Sequence, residues 1–457
     1  MKLTVVINVV GLTEELLATG HCPKLAAFAG KDARRPLGAV LPAVTCSVQA
    51  SMVTGLPVRG HGIVANGWYF RDLSEVWLWR QSNRLVEGEK IWDAAKKRDA
   101  SFTCAKLFWW FNMYSTADFA VTPRPLYPAD GRKIPDIYTE PEALRDELNA
   151  KLGQFPLFNF WGPNAGIVCS QWIAECAKHV FDVKAPTLTL VYLPHLDYDL
   201  QRFGPSDPRM AKALGEIDDV AGKLIDHVQG QGARVIVLSE YGITASTGAI
   251  HVNRALREAK FLRTREELGT EKLDAGGSAA FAVADHQLAH IYVRNVSDIP
   301  EVKRVVEALP GVERVLDEAG KRECFLDHPR SGELVAVAKP DKWFSYYYWL
   351  DDARAPDFAR TVDIHRKPGY DPVELFFDPK LAAPKARAGL RVAQKMLGFR
   401  YLMDVIGLDT SLVKGSHGRL TDDPAQGPLI ASSEPALLPA QVHATDVKRI
   451  VLDHIFE

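Results

Sequence analysis

The chain has 457 residues, of which 47% are hydrophobic and 25% are charged. This balance is that of a globular protein, and it excludes a disordered chain, a collagen-like fibre and a small disulfide scaffold. Lysine and arginine (55) nearly balance aspartate and glutamate (57), and the net charge of -2 predicts neither a nucleic-acid polymer nor a membrane as partner. The six cysteines are scattered without a CxxC pair, which predicts reduced thiols in a cytoplasmic protein.

The first residues, MKLTVVINVVGL, have the apolar run of a signal peptide but not its other features. An asparagine interrupts the run, and Glu14 and Glu15 follow it without a small-residue cleavage site. A buried strand over 3–10, ended by Gly11, explains the pattern better, and a helical segment is predicted near 12–29. No stretch of the sequence approaches the roughly 20 apolar residues that a membrane-spanning helix needs.

A second set of strand signals lies in the middle of the chain, at 187–193 (TLTLVYL) and 234–239 (RVIVLS). Between them, 208–229 spaces its apolar residues as an amphipathic helix does. A strand, a helix and a strand in this order form a βαβ unit, which implies parallel pairing. The sequence therefore predicts an α/β fold whose mostly parallel sheet is sandwiched by helices.

Two regions depart from this pattern. Residues 107–165 are rich in aromatic residues, proline and glycine, which predicts an irregular insertion over the carboxyl edge of the sheet. Residues 297–395 combine a helical piece with GVERVL (311–316) and KWFSYYYWL (342–350), which predicts an inserted α+β cap. The predicted domains are a core at 1–295, a cap at 296–395 and the C-terminal part of the core at 396–457.

Polar residues follow the predicted strands, at the edge where open parallel sheets bind their ligands. They are Asn8, Thr45, His195, Asp197, Asp199, Glu240, Tyr241 and the segment KGSHGRL (414–420). Carboxylates, a hydroxyl and a histidine on one edge suit a divalent-metal site with a nucleophile. Each also has an ordinary structural interpretation: Thr45 as a helix N-cap, Asp197 and Glu240 as caps or ion-pair partners, and His417 as a surface loop residue.

The segment from Thr45 to Asn66 (TCSVQASMVTGLPVRGHGIVAN) resembles the nucleophile region of the alkaline phosphatase superfamily. The resemblance is to the branch of nucleotide pyrophosphatase/phosphodiesterases and phosphonoacetate hydrolases, whose intervals are kept by Thr45, Thr54-Gly55, His61-Gly62-Ile63 and Asn66. Three later segments are similar to the metal-binding segments of that branch and come in family order: LPHLDYDLQRFGP (193–205), VLSEYGI (237–243) and GSHGRL (415–420).

The resemblance implies an alkaline phosphatase-like fold and a metal-dependent hydrolase of a phosphate ester, a phosphodiester or pyrophosphate, or a phosphonate. Thr45 would attack phosphorus in line and form a phospho-threonine intermediate, while Asn66 would stabilise the phosphoryl oxygens. The implied partner is a small phosphorylated molecule. The alternative is a catalytically degenerate member that binds a phosphorylated ligand. A formylglycine sulfatase is disfavoured because Cys46 is followed by SVQ rather than by the CxPxR pattern of that class.

The resemblance also implies two zinc ions, but several ligand positions differ here. One site maps to Asp197, Gln201 and His417, so that an amide stands where the family has its middle histidine. Glutamine can still offer a carbonyl oxygen to a metal. We therefore expect Asp197 and His417 to approach metal-binding distance, although 220 positions separate them.

The second zinc site maps to Val10, Glu240 and Tyr241, where the family has an aspartate and an Asp-His pair. Glutamate can bind a metal, whereas valine and tyrosine are poor zinc ligands. Asn8, two residues before Val10 on the same strand face, could partly replace the lost aspartate. A standard two-zinc centre is therefore not expected.

Two repairs of the metal centre remain open. The site could prefer a harder ion, since manganese and magnesium suit oxygen-rich ligands. The predicted cofactor is thus a divalent metal, zinc or else manganese or magnesium, as one or two ions. The segment DHQ (285–287) and His290 fall in a predicted strand. Their histidines are interpreted as core or edge residues. The other repair is that further residues complete one metal site. These would be His195 and Asp199 beside Asp197, or His365 and Asp371 in the predicted cap.

Overall fold

The structure is a computed structural model that describes residues 1–129 and 132–457, except for the side chain of Lys395. Its strands are β1 Thr4–Val9, β2 Arg34–Gly38, β3 Gly67–Phe70, β4 Glu75–Leu78, β5 Cys104–Leu107, β6 Phe119–Pro123, β7 Ile137–Glu140, β8 Leu188–Leu193, β9 Arg234–Leu238, β10 Thr244–Ala245, β11 Gly248–Ile250, β12 Thr264–Glu267, β13 Thr270–Leu273, β14 Ala280–Asp285, β15 Leu288–Val293, β16 Val312–Leu316, β17 Leu334–Ala338, β18 Lys342–Phe344, β19 Gly415–Ser416, β20 Leu429–Ser432 and β21 Val442–His443.

Its helices are α1 Glu14–Ala18, α2 Pro23–Phe28, α3 Thr45–Thr54, α4 Val58–His61, α5 Ile91–Arg98, α6 Ala143–Leu152, α7 Ile167–Lys184, α8 His195–Phe203, α9 Met210–Gln229, α10 Val252–Glu258, α11 Ile299–Glu307, α12 Glu318–Glu323, α13 Pro384–Met396 and α14 Val447–Phe456. In the part of the chain that the structure describes, no helix is long and apolar enough to cross a membrane. All six cysteines are free thiols.

The largest sheet has the strand order β21-β2-β20-β9-β1-β8-β5-β6-β7. The five neighbours β9, β1, β8, β5 and β6 pair in parallel, while β20 and β7 run antiparallel beside them. Every residue of β1 and β8 is buried, as expected for apolar strands covered on both faces. The predicted α/β fold with a mostly parallel sheet is confirmed.

Two groups of helices cover this sheet. One contains α2, α7, α8 and α9, with α7 packed on β8 and α9 packed on both β1 and β9. The other contains α3, α5 and α14, with α14 packed on the other two and on β1. The amphipathic segment predicted at 208–229 is α9, and it buries the apolar side chains that defined its pattern. The helical segment expected near 12–29 instead divides into α1 and α2, because Pro23 begins a new helix.

The segment 107–165 differs from the irregular insertion expected there. It supplies β6 and β7, which extend the main sheet, and the helix α6. The two strands were hidden in the sequence because each is only four or five residues long and prolines and aromatic residues surround them. Short strands of this kind carry too few residues for a clear alternation.

A second, four-stranded antiparallel sheet has the order β14-β15-β17-β16. The domain boundary predicted at 295/296 runs through this sheet, because β14 and β15 precede it and β16 and β17 follow it. In the aromatic block of 342–350, only β18 is a strand, and it pairs with β11 rather than with the main sheet. A division into core and cap therefore remains a prediction.

Candidate functional site

The polar residues of the site lie where neighbouring parallel strands end. Asn8 lies near the end of β1, Glu240 follows β9 and Asp197 lies in the first turn of α8 after β8. Thr45 is the first residue of α3, and His417 directly follows β19. All five side chains are buried, and Thr45 is 4% exposed. The interpretation of Thr45 as a helix N-cap is wrong because Val44 occupies the cap position.

A chain of hydrogen bonds joins Thr45 to Asp197 through Tyr241. The Tyr241 hydroxyl lies 3.1 Å from Thr45 Oγ1 and donates to Asp197 Oδ1 over 3.2 Å. A phenol has a single proton, so when Tyr241 donates to Asp197, its oxygen can accept from Thr45, whose hydroxyl also interacts with the Glu240 carboxyl. Tyr241 thus offers the Thr45 hydroxyl proton one path, which ends at the Asp197 carboxylate.

Asp197 and His417 approach one another as expected. His417 Nε2 lies 3.8 Å from Asp197 Oδ1. His417 Nδ1 lies 2.8 Å from the carbonyl oxygen of Ala43, which only accepts, so Nδ1 carries the proton and Nε2 keeps its lone pair. Gln201 donates to Asp197 Oδ2 over 2.7 Å, and its own carbonyl oxygen accepts from Tyr370 over 3.0 Å.

Four rings are stacked along this side of the site. The Tyr241 ring lies flat on His417, with centroids 3.6 Å apart and an interplanar angle of 5°. His286 contacts the His417 ring at 3.7 Å and the Tyr370 ring at 3.7 Å. His286 has a φ of 58°, a left-handed conformation that costs a residue with a side chain roughly 1 to 2 kcal/mol. The hairpin turn between β14 and β15 thus places this ring in the site.

The opposite side is formed by Asn8, Gln49 and Glu240. The amides of Asn8 and Gln49 both donate to Glu240 Oε1, over 2.6 and 2.5 Å. By hydrogen-bond geometry, the buried Glu240 Oε2 and Asn8 Oδ1 have no partner among the described residues. Gln49 is fixed in turn, because its carbonyl oxygen accepts from the backbone N–H of Trp110 over 2.7 Å.

Asn66 is held between α3 and the second sheet. Its Oδ1 accepts from the backbone N–H of Cys46 over 3.0 Å, and its Nδ2 donates to Asp285 Oδ1 over 3.0 Å. Its backbone N–H also donates to Asp285 Oδ2 over 2.7 Å. One N–H of the Asn66 amide remains available to a ligand.

Burial changes the charge of the site strongly. It raises the pKa of Asp197 to about 7, that of Asp285 to about 7 and that of Glu240 to about 8. It also lowers the pKa of His417 to about 3, so this imidazole is neutral at physiological pH. Without a cation, the site therefore holds much less negative charge than its three carboxyl groups suggest.

The structure does not bring every candidate into this group. Asp371 accepts from Lys367 Nζ over 2.8 Å and from the backbone N–H of Val373. His365 is exposed at the surface. Of the two residues beside Asp197, Asp199 pairs with Arg202, and His195 faces Glu216 at 3.1 Å. The repairs of the metal centre that depend on these four residues are therefore not supported.

Some residues of the site were not found from the sequence. Asp285 and His286 were interpreted as part of a core or edge strand, although Asp285 fixes Asn66 and His286 stacks on His417. An adjacent Asp-His pair after a strand was the available signal. Tyr370 gave no signal of its own, since only the folded chain places its hydroxyl on Gln201.

The geometry also tests whether the site fits two metal ions. Among the described residues, no group of three or more His, Cys, Asp or Glu side chains could hold a metal ion. Tyr241 fills the space between Thr45, Asp197 and His417 with a ring and a hydroxyl, so this side does not fit zinc. The unpartnered oxygens of Glu240 and Asn8, beside Thr45, fit a single hard cation on the other side.

Solved structures of two other proteins share the fold. Phosphonoacetate hydrolase from Sinorhizobium meliloti, in complex with phosphonoformate, is 15% identical and has a TM-score of 0.62, covering 99% of this chain and 95% of its own. Murine ectonucleotide pyrophosphatase/phosphodiesterase 5, as an inactive variant in complex with AMP, is 16% identical and has a TM-score of 0.57, covering 100% of this chain and 95% of its own.

One curated relative and one family model match the amino-acid sequence of the chain. An uncharacterized pyrophosphatase/phosphodiesterase of Schizosaccharomyces pombe is 24% identical over 258 residues, which cover 53% of this chain. The chain spans only 45% of the length of that relative. The model described as type I phosphodiesterase / nucleotide pyrophosphatase matches residues 4–371. These matches confirm the resemblance found in the motifs: the chain belongs to the type I phosphodiesterase / nucleotide pyrophosphatase family.

Proposed function

We propose that the chain hydrolyses a small phosphate ester, a phosphodiester or pyrophosphate, or a phosphonate, with Thr45 as the nucleophile. The observation that carries this proposal is the position of the Thr45 hydroxyl at the buried start of α3, hydrogen-bonded toward Asp197. A helix N-terminus attracts the negative charge of a phosphoryl group. AMP and phosphonoformate, the ligands of the two structural neighbours, are small molecules of this class.

The hydrogen-bond chain gives the Thr45 proton a destination. When Thr45 Oγ1 attacks phosphorus, its proton passes to the Tyr241 oxygen as the Tyr241 proton passes to Asp197 Oδ1. A base whose pKa is about 7 matches this task at neutral pH. The bond from phosphorus to the leaving group breaks as the phospho-threonine forms, and water then releases the phosphoryl group and restores Thr45.

Asn66 supplies the other half of the chemistry. The available N–H of its amide can donate to an equatorial oxygen of the phosphoryl group, where negative charge accumulates. Asp285 fixes the orientation of that amide with two hydrogen bonds, so little reorganisation is needed at the moment of attack. Asp285 is therefore a positioning residue.

A divalent cation belongs on the side of Glu240 in this proposal. Glu240 and Asn8 would hold it through their unpartnered oxygens, next to Thr45, and oxygen ligands favour magnesium or manganese over zinc. When bound, such an ion supplies positive charge that favours an ionised hydroxyl and the phosphoryl oxygens. One ion, rather than the two of the superfamily, is expected.

The second candidate function is the binding of a phosphorylated ligand without turnover. It is favoured by one observation, namely that Tyr241 satisfies both the Thr45 hydroxyl and Asp197 with hydrogen bonds. With Tyr241 in the space where the resemblance implies a metal ion, no ion on this side would help to ionise the Thr45 hydroxyl. The two candidates differ only in whether the phosphoryl group leaves its donor.

The experiment uses the full chain, stripped with a chelator and reloaded with magnesium, manganese or zinc. Three probes are assayed: p-nitrophenyl phosphate, bis-(p-nitrophenyl) phosphate and p-nitrophenyl phenylphosphonate. Turnover of one probe, with a phosphoryl group trapped on Thr45 by acid quench and peptide mass spectrometry, supports the hydrolase. Saturable binding of AMP without turnover of any probe supports the second candidate instead.

A further inference from the structure

The helix α13 and the turn that follows it present an apolar face to solvent. Five large apolar side chains form this face, which we call the α13 face: Leu390, Val392, Met396, Leu397 and Phe399. Four of them are exposed by 59% (Leu390), 82% (Met396), 75% (Leu397) and 65% (Phe399). Isolated apolar residues are normal on a protein surface, but five large exposed ones within residues 390–399 indicate an interaction site.

The orientation of α13 is fixed by its opposite side. Arg387 and Arg391 both form ion pairs with Asp404, the latter over 2.9 Å. Ala388 packs with Met403 against the buried cluster that contains Trp343. The outward positions Ala386, Gly389, Leu390, Ala393 and Leu397 follow the helical spacing of three and four residues. Of the α13 face, Leu390 and Leu397 lie on this outward stripe, so the helix carries apolar side chains on the side that faces away from the protein.

The charge of the same segment indicates what covers this face. Residues 379–403 contain no aspartate or glutamate and six basic residues: Lys380, Lys385, Arg387, Arg391, Lys395 and Arg400. Asp404 pairs with two of them, Arg387 and Arg391, while Lys385 and Arg400 are exposed at the two ends of the apolar stripe. An apolar stripe flanked by basic residues is the pattern of helices that lie in the interface of an anionic lipid layer.

We propose that the α13 face binds the surface of an anionic membrane, with its apolar side chains in the headgroup region and the flanking basic residues on the lipid phosphates. A second copy of the chain fits this face less well, because two copies would bring like charges together. The net charge of -2, from which no membrane partner was predicted, is a sum over the whole chain. It therefore hides the local excess of basic residues in 379–403.

The test measures co-sedimentation of the full chain with sucrose-loaded vesicles. We expect binding to phosphatidylcholine vesicles that contain phosphatidylglycerol, little binding to phosphatidylcholine alone, and weaker binding as salt rises from about 0.05 M to about 0.5 M. The double variant Leu390→Glu/Leu397→Glu should reduce the partition coefficient at least tenfold. The variant Lys385→Gln/Arg400→Gln should reduce it roughly tenfold through charge alone.

The matched control is Leu73→Glu/Leu268→Glu, which adds the same two charges at apolar residues exposed by 61% and 105% elsewhere on the surface. It should bind vesicles as the wild type does. Circular dichroism and turnover of a soluble aryl substrate show whether each variant is folded. The proposal is overturned if the α13 variant binds anionic vesicles like the control, or if neutral vesicles bind equally well. It is also overturned if sedimentation velocity shows a dimer that only the α13 variant abolishes.

Discussion

The two sides of the candidate site differ in how their polar atoms are satisfied. On the side of Asp197, the carboxylate accepts from Gln201 and Tyr241, and the neutral imidazole of His417 is covered by the Tyr241 ring. On the side of Glu240, one carboxylate oxygen accepts two amide hydrogen bonds, while the other oxygen has no hydrogen-bond partner in the part of the chain that the structure describes. One side is therefore closed by its own side chains, and the other still offers a ligand position.

The difference concerns the residues around Thr45, the proposed nucleophile, rather than Thr45 itself. The Tyr241 hydroxyl contacts both Thr45 and Asp197, where the resemblance implies a metal ion. In the proposed mechanism it supplies a proton path where an ion would supply charge. Thr45 and Asn66 stay in place, so the proposed attack on phosphorus can still occur with Tyr241, rather than a metal ion, beside Thr45.

The largest effect is expected for Thr45→Ala, which should lower kcat by about a thousandfold or more because the nucleophile is lost. Thr45 is not the cap of α3, so the free energy of unfolding should fall only through the loss of its buried hydrogen bonds, about 1 kcal/mol for each. Rate and melting temperature are measured on the same preparation. Thr45→Ser is the matched control and should keep part of the rate. A large loss of stability with substantial residual turnover would mean that Thr45 is only structural.

The next effect separates the two sides directly. Tyr241→Phe keeps the ring on His417 but removes the hydroxyl between Thr45 and Asp197, and kcat should fall by about a hundredfold through loss of the proton path. In the proposed mechanism, the change of rate with pH near pH 7 reports the titration of Asp197. This change should disappear in Tyr241→Phe. Divalent metal content, measured by plasma mass spectrometry, should stay at one ion per chain.

Tyr241→His is the companion variant, since it opens the space beside Asp197 and His417 and adds a metal ligand. We expect Tyr241→His to bind a zinc ion beside Asp197 and His417, where we expect none in the wild type. If Tyr241→Phe turns over at the wild-type rate, the tyrosine serves only to fill space. The proton path would then be wrong, whatever the metal content.

Much of this site was predictable because it depends on local spacing. The interval from Thr45 to Asn66 and the position of Asp197 after a buried strand indicate the candidate nucleophile and its edge of the sheet. Parallel strands bring such residues together whatever the sequence between them is. The approach of Asp197 to His417, at 3.8 Å, follows from the same topology.

The parts that escaped prediction depend on contacts between distant segments. Asp285 and His286 sit on a hairpin of the second sheet, and nothing in their neighbourhood indicates that Asn66 and His417 meet them. Tyr241 was identified as a poor zinc ligand, but its role between Thr45 and Asp197 requires the position of the hydroxyl. The strands β6 and β7 were missed because they are short, so that their partners decide their conformation.

A smaller effect is expected for Asp285→Asn, which keeps the shape of the side chain but weakens its hold on Asn66. The substitution replaces one carboxylate oxygen by an NH2 group, which cannot accept a hydrogen bond from Asn66. The Asn66 amide is therefore less well oriented. We expect kcat to fall about tenfold while KM changes little. Asn66→Ala gives the upper limit of this effect. An increase in KM with unchanged kcat would place Asp285 in substrate binding instead.

The smallest effect concerns stability and sharpens the assignment of the cation to Glu240. Burial raises the pKa of Glu240 from 4.5 to about 8, so its contribution to stability is fully present below about pH 4.5 and is lost as pH rises through 8. In chelator, the melting temperature of the wild type should therefore fall between about pH 6 and pH 9, and that of Glu240→Gln should fall less. Asp197 and Asp285 cause the decline that remains in the variant.

Magnesium or manganese should reverse the wild-type trend, because a cation binds the ionised carboxylate and its affinity rises as the proton leaves. The stabilisation by metal should therefore grow from about pH 6 to pH 9 in the wild type and be absent in Glu240→Gln. Differential scanning fluorimetry with and without chelator measures both trends on the same samples. A metal-dependent gain that survives in Glu240→Gln would place the cation elsewhere, and Tyr241→Phe, tested in parallel, shows whether Asp197 and His417 then hold it.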